Sequence, residues 1–111
     1  MNWIRVTQDV SAEARARLDE IADDAWLAHR SFRQRRMVPP VPLTDDEWKS
    51  LGVLTLLLAG DREVIFPAKE NLKRVAALSP RIKAELMNGT GHDFFVARAD
   101  EVNRRILEFL A

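Results

Sequence analysis

The chain has 111 residues, 47% hydrophobic and 31% charged, with 17 basic residues balancing 17 acidic ones and no cysteine. Such a composition belongs to one soluble globular domain or a piece of one, long enough to bury roughly two thirds of its unfolded surface. Balanced charge argues against a nucleic-acid partner, and the lack of cysteine excludes disulfides, thiolate chemistry and Cys-ligated zinc, which fits a reducing cytoplasm.

The opening stretch MNWIRVTQDVS has no apolar core behind a basic start, so it does not read as a signal peptide. Ser11 is placed to cap a helix, with Glu13 in its first turn. From there AEARARLDEIADDAWLAHRSFRQRR keeps helix-forming residues without Pro or Gly up to Arg36. Leu18, Ile21, Ala22, Ala25, Trp26 and Ala28 recur at three- and four-residue spacing, which predicts a long amphipathic helix. His29 lies within it as a structural or surface residue. The basic cluster at its end, FRQRRM, reads as a solvated helix terminus before a phosphate contact. Trp3, Trp26 and Trp48 are expected to act as core or interface anchors.

The prolines of MVPPVPL then break the helix and set the clearest internal boundary, between residues 1–43 and 44–111. Thr44 with Glu47 three residues on forms a capping box for a short helix. VLTLLLAG follows Gly52 as an almost unbroken apolar run, the pattern of a strand buried on both faces of a parallel sheet. Even extended to LGVLTLLLAG, the run is about half the length needed to span a bilayer, so no membrane segment is expected. After the polar turn DREVIF, Pro67 opens a helix, AKENLKRVAAL, with Leu72, Val75, Ala76 and Leu78 on one face. Ser79-Pro80 stops it. RIKAELMN alternates Ile82, Ala84 and Leu86 with Arg81, Lys83 and Glu85, predicting a strand with one wetter face near a sheet edge. Strand, helix and strand make a βαβ unit with a right-handed crossover. A final helix carries Val102, Ile106, Leu107, Phe109 and Leu110 towards the core. Two strands alone are marginal, so this α/β unit is expected to be incomplete as a stand-alone fold, its sheet edge covered by a partner chain or by self-association.

Two short patterns within this half resemble those of a known family. Gly60, two residues, Glu63 and then Pro67, followed by Gly91-His92 and the closing helix ADEVNRRILEFL, resemble the C-terminal portion of the α/β-hydrolase fold superfamily. The resemblance covers roughly residues 51–111, and residues 11–36 resemble part of the helical cap region that precedes it in many members. It implies a βαβα part of a doubly wound sheet, with Glu63 as the catalytic acid and His92 as the catalytic histidine of a Ser-His-Glu ester hydrolase. Asp61 is the alternative acid. In such a triad the imidazole takes the serine proton, while the carboxylate fixes the ring tautomer and stabilises the imidazolium. The family's chain order of nucleophile, acid and histidine is respected.

The departure from the family lies in the nucleophile. No Gly-x-Ser-x-Gly occurs in the 111 residues; the nearest approach, Trp48-Lys49-Ser50-Leu51-Gly52, puts Trp at the first glycine and the serine ahead of the strand. The chain therefore carries two thirds of a triad and is expected to be inactive alone, with no cofactor or metal. The partner implied is a second copy or a complementary N-terminal hydrolase segment, not nucleic acid or membrane. The competing reading is a non-catalytic, dimeric interaction module on the same half-fold, in which His92 is an inert loop residue and Glu63 and Asp61 are solvated turn carboxylates. A small regulator binding nucleic acid through residues 30–36 is a third reading, opposed by the neutral charge.

Overall fold

Two parallel strands joined through a helix form the centre of the computed structural model, which describes residues 10–36 and 38–111. Trp3 and most of the opening stretch lie outside the described residues. Helix α1 (Ala12–Ser31) starts where expected, the Ser11 side chain accepting from the Ala14 amide at 3.1 Å. It ends at Ser31, with Phe32 already extended, and does not run on to Arg36. Propensity alone holds an unpacked helix end only weakly. Here Arg33, Arg35 and Arg36 repel one another just ahead of a proline-rich segment.

The apolar stripe of α1 is only partly used. Ala14 and Leu18 are buried, while Ile21 and Trp26 stand exposed. Trp26 is therefore not a core anchor of this chain; its ring stacks on His29 at 6.4 Å and lies under the Arg30 guanidinium at 5.8 Å. Of the six residues the period picks out, Leu18 is buried and Ala22 half-buried, because α1 meets the rest of the chain mainly through the short helix near residue 95.

Helix α2 (Asp45–Lys49) has the expected capping box: the Glu47 amide donates to Thr44 Oγ1 at 3.2 Å and the Thr44 amide to Glu47 Oε2 at 2.7 Å. Strand β1 (Thr55–Gly60) starts two residues later than the apolar run, leaving Val53 and Leu54 exposed. Its leucines are half-buried, and full burial comes only at Ala59 and Gly60. The physical reason is that among the described residues β1 has a neighbouring strand on one edge only. Helix α3 (Ala68–Leu78) buries Ala68, Leu72 and Val75, with Pro67 as its N-cap and Ala76 exposed. Strand β2 (Ile82–Met87) pairs parallel with β1, from Thr55 opposite Ile82 to Gly60 opposite Met87. Ala59, Ala68 and Leu72 form the core, with Leu57 and Ala84 packed against them. Trp48 lines an apolar cavity of about 230 Å³ together with Leu43, Leu57, Phe66 and Val75, so the end of the proline segment sits beside the sheet. No helix among the described residues is long and apolar enough to cross a membrane.

After β2 come a one-turn helix α4 (Phe94–Ala97), not anticipated from sequence, and helix α5 (Ala99–Leu110). Of the five apolar residues assigned to the core face of α5, Val102 is buried, whereas Ile106, Leu107 and Leu110 are exposed. Arg105 ties α5 to the sheet by pairing with Glu85 on β2 and with Glu108 on its own helix. The Arg105 hydrogen bond holds the Glu85 carboxyl below its ordinary value. Stability from a lowered carboxylate is present above its unfolded pKa of about 4.3 and is lost as pH falls through the folded value. Arg105→Met is therefore expected to lower the urea midpoint at about pH 7, with the gap to the parent narrowing as the pH falls below about 4. A gap that stayed constant across that range would mean the pair does not couple α5 to β2.

Candidate active site

The parallel register ends β1 and β2 side by side at Gly60 and Met87, so the loops that follow must share one edge of the sheet. They are bonded to each other directly. The Asp61 amide donates to Met87 O at 3.0 Å and the Arg62 amide to Thr90 O at 2.8 Å. In return the Thr90 amide donates to Asp61 Oδ1 at 3.2 Å, and Thr90 Oγ1 donates to Met87 O at 3.0 Å. Gly89 makes the turn with φ of 71°, a left-handed conformation that favours glycine. Thr90 has 0% exposure and is the most deeply buried side chain described.

This stitching brings Glu63 and His92 together. Glu63 Oε2 lies 2.7 Å from His92 Nδ1. The other carboxylate oxygen, Oε1, accepts from the amides of Val64 and Ile65, both at 2.8 Å. The Glu63 side chain is 3% exposed and that of His92 41%. A carboxylate withdrawn from water persists only when its oxygens are hydrogen-bonded, and three N–H groups satisfy that need here. An ionised carboxylate can only accept, so the tautomer assigned to the neutral ring carries its proton on Nδ1. The Nε2 lone pair is left free, with no hydrogen-bond partner among the described residues. A half-exposed imidazole with an oriented Nδ1–H and an available Nε2 can take a proton from a group placed against it.

Of the two candidate acids, the structure brings Glu63 to His92, while Asp61 turns to the Thr90 amide. Ser50 is elsewhere: it caps the end of α2, its hydroxyl donating to Glu47 O at 2.7 Å, before β1 begins. His29 sits on α1 against Trp26. Among the described residues no group of three or more His, Cys, Asp or Glu side chains is arranged to hold a metal ion. Sequence reasoning missed Thr90; its only signal was a β-branched polar residue between two glycines.

The chain is 35% identical over 81 residues to carboxylesterase YbfK of Bacillus subtilis, a match covering 73% of this chain and 27% of that protein. It is 36% identical over 70 residues to the uncharacterized carboxylesterase nap of the same organism, covering 63% of this chain and 23% of the relative. The crystal structure of carboxylesterase CesB (YbfK) from Bacillus subtilis superposes with a TM-score of 0.63 at 33% identity, over 74% of this chain and 29% of that one. That of naproxen esterase (carboxylesterase NP) from Bacillus subtilis gives 0.60 at 31% identity, over 70% and 30%. No family model matches the chain. It thus spans about a quarter of the length of the curated relatives it matches.

Proposed function

Because this chain belongs to the α/β-hydrolase superfamily, of which it carries a C-terminal portion, we propose that His92 and Glu63 are the base and orienting acid of a carboxylic-ester hydrolase. The observation that carries this reading is the 2.7 Å contact of a buried, amide-held carboxylate with the Nδ1 of a half-exposed histidine. In the reaction, Nε2 of His92 takes the proton of a serine hydroxyl as the oxygen attacks the ester carbonyl. Glu63 stabilises the imidazolium that results, and the same ring then returns the proton to the leaving alkoxide. The serine and the oxyanion-binding amides come from outside these residues, since no Gly-x-Ser-x-Gly is encoded here. We assign this half-fold to the cytoplasm, where a chain without cysteine is at home.

The 111-residue chain is accordingly expected to leave short-chain aryl esters intact. Activity is expected when it is co-expressed with a carboxylesterase segment bearing Gly-x-Ser-x-Gly, and to vanish with His92→Ala. Robust hydrolysis by the pure chain, abolished by His92→Ala, overturns this assignment. An upstream DNA stretch encoding that motif in an adjacent or shifted frame supports a split or truncated hydrolase, while its absence favours the interaction module.

The edge of β1 that is unpaired among the described residues, and the exposed Ile106, Leu107 and Leu110 of α5, support a covering partner, either a second copy or the complementary hydrolase segment. Light scattering on the purified chain should then give a mass above the 12.7 kDa of one protomer. A well-folded monomer at that mass removes self-association.

A further inference from the structure

We propose that Asp61 is a positioning residue for His92, acting through the backbone of Thr90. This rests on the reading of His92 and Glu63 as a base and its acid. Glu63 and His92 lie 29 positions apart, on the loops that follow two paired strand ends. Thr90 precedes His92 by two residues and is wholly buried, so its amide needs an internal acceptor. Asp61 Oδ1 supplies one at 3.2 Å, from a residue two positions before Glu63. The clasp thus fastens the histidine loop to the acid loop beside the dyad. The Thr90 hydroxyl fixes the depth of the loop but not its partner: Thr90 Oγ1 holds Met87, on the same strand and loop. Arg62 N to Thr90 O is the second cross-loop bond, and it uses the carbonyl side of the same residue. Without Asp61 a buried donor is left unmet, which costs about 1–3 kcal/mol and is relieved when Thr90 moves towards water. That movement carries His92 away from Glu63.

The test reads the His92 ring by two-bond nitrogen–proton correlation in the 111-residue chain, raising the pH until the spectrum is that of a neutral ring. The parent is expected to show Nδ1 protonated and Nε2 bare. Asp61→Ala should lose that signature and give a mixed-tautomer, solvent-averaged ring, while Asp61→Asn, which keeps Oδ1 as an acceptor, should restore it. A generally weakened fold would not distinguish the two variants in this way. If the alanine variant does not fold, Asp61→Glu keeps the charge but displaces the acceptor by one methylene, and the same loss is expected. A parent-like ring in Asp61→Ala or Asp61→Glu, or an equal loss in Asp61→Asn, overturns the positioning role. A parent ring that is not protonated on Nδ1 instead overturns the dyad itself, so the two failures are distinguishable.

Discussion

Glu63→Gln is expected to move the His92 proton from Nδ1 to Nε2, so that Nε2 can no longer accept a proton, without disturbing the fold. The substituted side chain has the same shape, but one end donates and the other accepts. Its oxygen is claimed by the amides of Val64 and Ile65, which hold Oε1 of the glutamate at 2.8 Å each. The opposite orientation would set an NH₂ group against two N–H donors and lose both of those bonds. The NH₂ group must therefore face His92, and the ring answers by accepting at Nδ1 and carrying its proton on Nε2. An Nε2–H cannot receive a serine proton. In a complemented enzyme the loss of turnover should be on the order of 10⁴-fold, the scale found when a triad carboxylate is replaced by its amide. Ring nitrogen shifts in the 111-residue chain check the structural half of this directly, since Nδ1 and Nε2 should exchange their protonated and bare characters. Retention of the parent tautomer in Glu63→Gln would sink it.

That outcome depends on two amides no sequence pattern pointed to. Glu63 and His92 were legible as candidates because each sits in a short local motif, Gly60 to Pro67 and Gly91-His92, and the caps at Ser11 and Thr44 were legible for the same reason. A cap needs only residues three apart, and a strand-ending turn only a few more. The choice between Glu63 and Asp61 was not legible, because it depends on where the second loop lies, 29 residues on. Thr90 was invisible for a related reason: its three bonds all go to the ends of β1 and β2 or the turn between them and Glu63, and none follows a local spacing. The helices show a different limit. Periodicity identified the apolar stripes of α1 and α5, yet Trp26 is 62% exposed and Leu107 stands in solvent. A hydrophobic period shows which face wants cover; it does not show what covers it.

The stability of the site is expected to rest most heavily on Gly60, and Gly60→Ala is the substitution that exposes this. A Cβ there would press on the carbonyl oxygen of Thr90 and lie 2.6 Å from that of Gly91 and 2.7 Å from the Thr90 carbonyl carbon. All three are backbone atoms, so no side chain can rotate out of the way and the two loops must separate. Separation stretches the Arg62–Thr90 and Asp61–Thr90 bonds together. Overpacking of this kind costs roughly 1–3 kcal/mol, and each weakened hydrogen bond adds about 1 kcal/mol. The smaller unfolded-state gain of an alanine, about 0.4–1 kcal/mol, does not offset that. Gly52 supplies the control: nothing lies within 4 Å of a Cβ built there, so Gly52→Ala keeps the unfolded-state gain with no clash to oppose it. Urea unfolding should therefore place Gly60→Ala roughly 3–5 kcal/mol below Gly52→Ala, with the Nδ1–H signature of His92 lost only in the former. Equal stability and an intact ring in Gly60→Ala would mean that the loops part freely, and that backbone contact at the end of β1 is not what keeps His92 against Glu63.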